Sequence, residues 1–176
     1  KKVYLAFNKP RGIVCTAEKR EKNNVIDYLS YPVRIYPVGR LDKDSEGLLL
    51  MTNDGAIVNG IMRARNRHEK EYQVEVNKEI TPEFLKKMAS GVPILDTVTR
   101  PCRIRKTGER SFTIILTQGL NRQIRRMCEA LGYRVTKLKR VRIMNIHLKD
   151  LKTGEYRPLT EKELAELKKQ IGEEKR

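Results

Sequence analysis

Apolar positions recur with period two at Val3, Leu5 and Phe7, which predicts a strand over 3–8. Lys9-Pro10-Arg11-Gly12 has the composition of a turn, and 13–16 is expected to be the return strand. The polar stretch 19–24 reads as a surface loop ahead of a short helix at 25–29. Residues 35–38 read as another strand, leading into Gly39-Arg40-Leu41-Asp42. Beyond the polar 43–47 comes an apolar strand, 48–52, closed by an Asn53-Asp54-Gly55 turn. A short helix through Met62 and a basic loop over 63–70 follow.

The second half resumes with Tyr72, Val74 and Val76 alternating in a strand. Thr81-Pro82 has the residues of a helix N-cap and first turn, with Phe84, Leu85 and Met88 inward and Gly91 as the stop. Phe112, Ile114 and Leu116 make another period-two strand. Over 122–131, Ile124, Met127, Cys128 and Leu131 share one helical face, Arg122, Arg125 and Arg126 fall off it, and Gly132 caps the end. Residues 134–148 alternate loosely, as one or two strands. Thr160-Glu161-Lys162-Glu163 is a capping-box pattern opening a last helix, with Leu164, Leu167 and Ile171 inward. Strands and helices mix without a strict βαβ rhythm, so the expected class is α+β, with a subdomain seam near 62–70.

Composition sharpens this picture. At 176 residues the chain falls in the ~100–200 range of one domain or two small subdomains. No apolar run approaches the ~20 residues of a membrane helix, and no signal-peptide core opens the chain, so a soluble, cytoplasmic protein without a membrane partner is expected. Cys15, Cys102 and Cys128 are odd in number and far apart, which argues against a disulfide framework or a zinc cluster. His68 and His147 suggest neither a metal pair nor a catalytic triad, leaving carboxylate, Arg, Lys or Tyr to carry any chemistry. Neither Walker A nor G-x-G-x-x-G is present, so no nucleotide cofactor is indicated.

Charge changes the picture most. The chain carries +16, and 100–142 alone holds 13 basic residues against Glu109 and Glu129, a net of +11. Ten of those 13 are Arg, the residue that grips phosphate in a fork. Such a stripe is the footprint of a polyanion. A membrane surface fits less well, because Trp is absent and no basic helix presents an aromatic face.

Against this background, three places can carry chemistry. The 39–47 stretch packs three acids and two bases between apolar strands. It is either a solvated connector with local ion pairs or the seat of a positioned carboxylate, Asp42, held ionised by a guanidinium such as Arg40. Asp42 and Asp44 would suit Mg²⁺, but the interleaved Arg40 and Lys43 disfavour a cation. Tyr72, in Lys70-Glu71-Tyr72, is either a strand core residue or a stacking face for a base. Arg122, Arg125 and Arg126 are either the wet face of a helix or a nucleic-acid contact, and their place inside the stripe favours contact.

These stretches resemble the motifs of the RsuA-type pseudouridine synthases. Gly39-Arg40-Leu41-Asp42-Lys43-Asp44-Ser45-Glu46-Gly47-Leu48-Leu49-Leu50, followed by Thr52-Asn53-Asp54-Gly55, is similar to their central motif. Lys70-Glu71-Tyr72 resembles the second, and Gln118-Gly119-Leu120-Asn121-Arg122-Gln123-Ile124-Arg125-Arg126-Met127 the third. The likeness runs in order from Phe7-Asn8-Lys9-Pro10 to about Leu159. It implies a mixed, mainly antiparallel sheet with flanking helices and two subdomains around a central cleft. It further implies isomerisation of a uridine in RNA, with 23S ribosomal RNA the favoured target and tRNA or small-subunit ribosomal RNA the alternatives, and with no metal and no cofactor. By the resemblance Asp42 is the essential carboxylate, attacking C1′ or removing the C2′ proton. Tyr72 stacks on the uracil, and Arg125 pairs with Asp42. Arg40 places the flipped nucleotide and Ile143 packs the base, while Lys70, Asn121, Arg122, Gln123 and Arg126 are substrate-binding candidates within the motifs. The family usually carries an S4-like RNA-binding domain ahead of the catalytic part. Here the first strand follows almost directly on Lys1, so that domain is expected to be absent from this chain. A monomer is the expected state. The competing readings are a non-catalytic RNA-binding or ribosome-assembly module, and a metal-dependent RNA hydrolase on Asp42 and Asp44.

Overall fold

The computed structural model describes residues 1–174. The chain divides into two compact units, 1–64 with 141–176 and 65–140. In chain order the first unit supplies β1 (Tyr4–Lys9), α1 (Val25–Leu29), β2 (Tyr36–Val38), β3 (Glu46–Thr52) and α2 (Gly55–Arg63). The second holds β4 (Lys70–Val76), α3 (Pro82–Ser90), β5 (Pro93–Ile94), β6 (Thr97–Val98), β7 (Arg103–Gly108), β8 (Ser111–Leu116) and α4 (Gln123–Ala130). Strand β9 (Val135–Ile143) begins in the second unit and ends in the first. The first unit then closes with β10 (Ile146–His147), β11 (Tyr156–Pro158) and α5 (Glu161–Glu174). The class is α+β with mainly antiparallel pairing, as the sequence led us to expect.

In the first unit β1 lies between β11 and β3, with Leu5 opposite Met51 and Phe7 opposite Leu49. Alternate residues of these strands enter two cores. Leu5, Phe7, Leu49 and Met51 join Val25 of α1, Ile35 and Leu41 on one face. Ala6, Leu48 and Leu50 join Ile57 and Ile61 of α2 and Leu167 and Ile171 of α5 on the other. Burial on both faces explains why 48–52 reads as an unbroken apolar run rather than an alternation. Each such aliphatic side chain stabilises the unit by roughly 1.5–3 kcal/mol. Helices α2 and α5 approach so closely that a Cβ on Gly60 would stand 2.3 Å from Ile171 Cγ2.

In the second unit β8 lies between β4 and β7, with Tyr72 opposite Ile114 and Val74 opposite Phe112. Phe84 and Met88 of α3 and Ile124, Met127 and Cys128 of α4 pack onto Val74, Phe112 and Ile114. The helix starts follow the residues expected of them. Thr81 Oγ1 accepts the Phe84 N–H at 3.1 Å, and Thr160 and Glu163 exchange hydrogen bonds of 3.0 and 2.9 Å, a complete capping box.

Three local expectations are corrected. Residues 13–16 form no strand: Val14 makes a single parallel bridge to Asn24, and the Ile13 carbonyl accepts a hydrogen bond from Lys9. Asp54 does not merely turn the chain; its Oδ1 accepts the Ala56 N–H at 3.1 Å and caps α2, with Gly55 already helical. The β5–β6 hairpin and β7 arise where no strand was expected. Among the described residues, no helix is long and apolar enough to cross a membrane.

Candidate active site

Asp42 sits in the first unit, on the connection from β2 to β3, and its backbone is held from both sides. Gly39, at φ +74°, turns the chain out of β2, and Leu41 anchors the connection by entering the core beside Phe7 and Leu49. The Leu41 N–H donates to Cys15 Sγ at 3.4 Å. The Asp42 carbonyl accepts the Ser45 N–H at 3.0 Å, so Asp42–Ser45 closes as a four-residue turn. Arg40 and Lys43 point to solvent, Ser45 is buried, and Asp42 and Asp44 are half-buried.

Beneath this turn lies Lys9, the last residue of β1, fully buried. Its Nζ donates to the carbonyls of Pro10 and Ile13 at 2.8 Å each and of Lys43 at 3.5 Å. The Lys43 carbonyl also accepts the Gly12 N–H at 2.7 Å. A buried ammonium is costly unless its donors are satisfied and opposite charge is near. Burial pushes the Lys9 pKa down, and the charges of Cys15, Asp42, Asp44 and Glu46 act against that push. Lys9 thus ties the turn carrying Asp42 to the end of β1. Sequence reading missed it, although Lys9 continues the 3, 5, 7 phase and so had to point inward.

The remaining motif residues, Ile143 excepted, lie in the second unit. Lys70 opens β4 opposite Leu116, and its Nζ donates to the carbonyls of Arg65, at 2.5 Å, and Thr117, at 2.8 Å. Burial first, then the neighbouring charges of Arg140, Arg100 and Arg65, lower its pKa to about 8. Tyr72, two residues on, is half-buried against the Val74–Phe112 core. At the start of α4, Asn121 and Arg122 are exposed, and Arg122 adopts φ +48°. Gln123 is buried and organises the loop before it. Its Oε1 accepts the Leu120 N–H at 3.1 Å, while its Nε2 donates to Gln118 Oε1 at 3.2 Å. Gln118 Oε1 also accepts the Arg100 N–H at 3.0 Å. Arg126 grips Asn121 twice at 3.0 Å, through the carbonyl and the side-chain oxygen. Arg125 is buried, 8% exposed, although the helical period places it off the apolar stripe. Ile143 belongs to the first unit, where it pairs with Ile146 in the α2/α5 core.

The second unit therefore joins Asn121, Gln123 and Arg126 in one bonded loop, and the first binds Asp42 to the Lys9 platform. Arg140, buried at 7% near Lys70, and Arg100, bonded at the foot of β7, are further cations that sequence reading saw only as part of a stripe. Among the described residues no group of three or more His, Cys, Asp or Glu side chains could hold a metal ion.

The family model described as RNA pseudouridylate synthase matches residues 3–130. The dual-specificity RNA pseudouridine synthase RluF of Salmonella typhi is 56% identical over 169 residues, covering 96% of this chain. The chain spans only 58% of that relative's length. The ribosomal large subunit pseudouridine synthase B of Bacillus subtilis is 36% identical over 174 residues, covering 94% of this chain and 71% of its own. A solved structure described as a pseudouridylate synthase superposes with a TM-score of 0.87 at 30% identity, covering 95% of this chain and 74% of that one.

Proposed function

The chain belongs to the RNA pseudouridylate synthase family, and on that premise we propose that it isomerises a specific uridine in RNA to pseudouridine. The observation that carries this reading is the family match over residues 3–130, which includes Asp42, Tyr72 and Arg125 on their motifs. In the reaction the N1–C1′ bond breaks, the uracil turns, C5 bonds to C1′, and the proton on C5 is exchanged for one gained at N1. Atoms balance without a redox partner. Asp42 acts as the essential carboxylate, by attack on C1′ or by removal of the C2′ proton. Tyr72 offers its ring to the uracil face, a stack that any extruded base can use. Arg125 supplies a buried guanidinium to the chemistry. Arg40, Asn121, Arg122 and Arg126 handle the RNA backbone and the flipped nucleotide, and Ile143 packs the base. Lys70 and Gln123, whose polar atoms bond within the unit, serve the substrate by fixing the backbone around it.

The favoured substrate is 23S ribosomal RNA; the Salmonella typhi relative is named for dual specificity, so a second RNA class is assayed, and we take tRNA for it. The protein acts as a monomer. Incubation with RNA carrying 5-tritiated uridine should release tritium to solvent, and Asp42→Asn should abolish the release. Absence of release by the unaltered protein from both RNA classes, naked and in pre-ribosomal particles, would overturn the reading.

A further inference from the structure

The β5–β6 hairpin of the second unit has a feature that packing does not explain. Its register, Pro93 opposite Val98 and Ile94 opposite Thr97, leaves a two-residue turn of Leu95 and Asp96. Both sit in the left-handed region, at φ +46° and +60°. Such turns favour Asn-Gly, and a bulky residue at the first position is a rare choice. Leu95 gains no burial in return, since it is 47% exposed, and Val98 beside it is 59% exposed. Strain maintained at an exposed apolar tip points to a use for that tip.

The foot of the hairpin is built rigidly. Val92 and Thr99 exchange two hydrogen bonds, and Thr99 is buried. Gly91, at φ +115°, is required there, because a Cβ would stand 2.6 Å from the Thr99 carbonyl. Ile94 enters the core with Ile124, Met127 and Cys128, so the hairpin is seated on α4. Arg100 leads out of the foot and bonds Gln118, the same oxygen that Gln123 of α4 holds. The tip thus stands on the element that carries Arg122 and Arg126, within a unit of 18 basic and 8 acidic residues.

We propose that this hairpin is a second RNA contact, in which Leu95 and Val98 pack against the faces of unpaired bases beside the phosphates held by the cations of α4 and Arg100. The inference rests on the RNA reading above and adds a surface to it. Charge complementarity selects RNA as the occupant, and the tip's own chemistry selects bases over backbone. Asp96 repels phosphate, whereas its carboxylate can accept from base amino groups, and aliphatic side chains fit base faces.

The test uses the full chain and two fluorescein-labelled probes, a 20-nucleotide unstructured RNA and its duplex, with tritium release by the unaltered protein read alongside. Leu95→Asn suits the left-handed turn, so it should raise Tm by roughly 2–6 °C. The same change should weaken single-strand binding about five- to tenfold, with less than a twofold effect on the duplex. Val98→Thr, of nearly equal size, should weaken single-strand binding by about threefold. A gain in stability with a loss of affinity cannot come from damage to the fold. Equal losses on both probes, or none, overturn the inference while tritium release keeps the catalytic reading intact. Self-association lost in Leu95→Asn with RNA affinity unmoved would assign the tip to a second copy and also overturn it. An unaltered protein that binds neither probe and releases no tritium defeats the RNA reading and the inference together.

Discussion

Lys70 carries a positive charge that its surroundings penalise. Its pKa lies near 8 where an unfolded lysine titrates at about 10.4, because it is partly removed from water among Arg140, Arg100 and Arg65. Between those two values the unfolded chain binds the proton and the folded chain does not, so this group makes stability rise with pH across the window from about 8 to about 10.4. Below pH 8 the penalty is present in full. Carbon-13 reductive methylation of the lysines should reveal one resonance with a midpoint near 8, absent in Lys70→Met. A Lys70 that titrates with the surface lysines would overturn the account. Legibility at this scale was uneven for a plain reason. A residue's type was visible, but whether its charge was buried depended on what the chain later placed around it. Asp42 and Tyr72 stood out by motif, whereas Lys9 and Arg140 are buried cations in segments that looked like a turn and a basic surface.

At the scale of the element, regular periods carried the most information. Helices α3, α4 and α5 and strands β4 and β8 were legible because one face of each is apolar at a fixed spacing, and β3 because it is an unbroken apolar run. Strand β7 was not, since Arg103-Ile104-Arg105-Lys106-Thr107-Gly108 has one apolar residue and lies at the end of the β4-β8-β7 order, where charges protect an edge. The 13–16 segment failed differently: its backbone is taken up by Lys9, Asn23 and Val25 rather than by a partner strand. Helix α4 shows how an element holds a loop. Gln123 satisfies the Leu120 N–H and shares Gln118 Oε1 with the Arg100 N–H, and a methionine of similar length would leave the Leu120 N–H unmatched and Gln118 Oε1 with one donor fewer. Gln123→Met should therefore cost about 1–3 kcal/mol and remove the exchange protection of the Leu120 amide. Differential scanning calorimetry and native-state hydrogen exchange measure the two effects. A protected Leu120 amide in the variant would show that the loop is held by other means.

At the scale of the molecule, two unit boundaries had unequal signatures. The chain passes from Ala64 to Arg65 in polar, basic sequence, but from Arg140 to Val141 inside a single strand, β9, where no break in pattern marks the change. Charge, by contrast, could be located from sequence, because 100–142 runs from the foot of β7 nearly to the end of β9. That stripe contains cations in two physical states. Arg105 is exposed, so its charge can meet a phosphate by displacing a counterion. Arg125 is buried, so its charge acts on whatever group faces it at short range and is little screened by salt. The two should separate in one experiment on RNA affinity and single-turnover rate across a salt series. Arg105→Gln should weaken binding and flatten the slope of log K against log salt by about 0.7–0.9, one phosphate contact's worth. Arg125→Gln should leave that slope nearly unchanged and lower the rate at saturating RNA, with Arg125→Lys restoring it only in part because an ammonium cannot form the planar fork. A slope change in Arg125→Gln equal to that of Arg105→Gln would mean that the buried guanidinium grips the RNA backbone after all, and that the division of the stripe into gripping and catalytic cations is wrong.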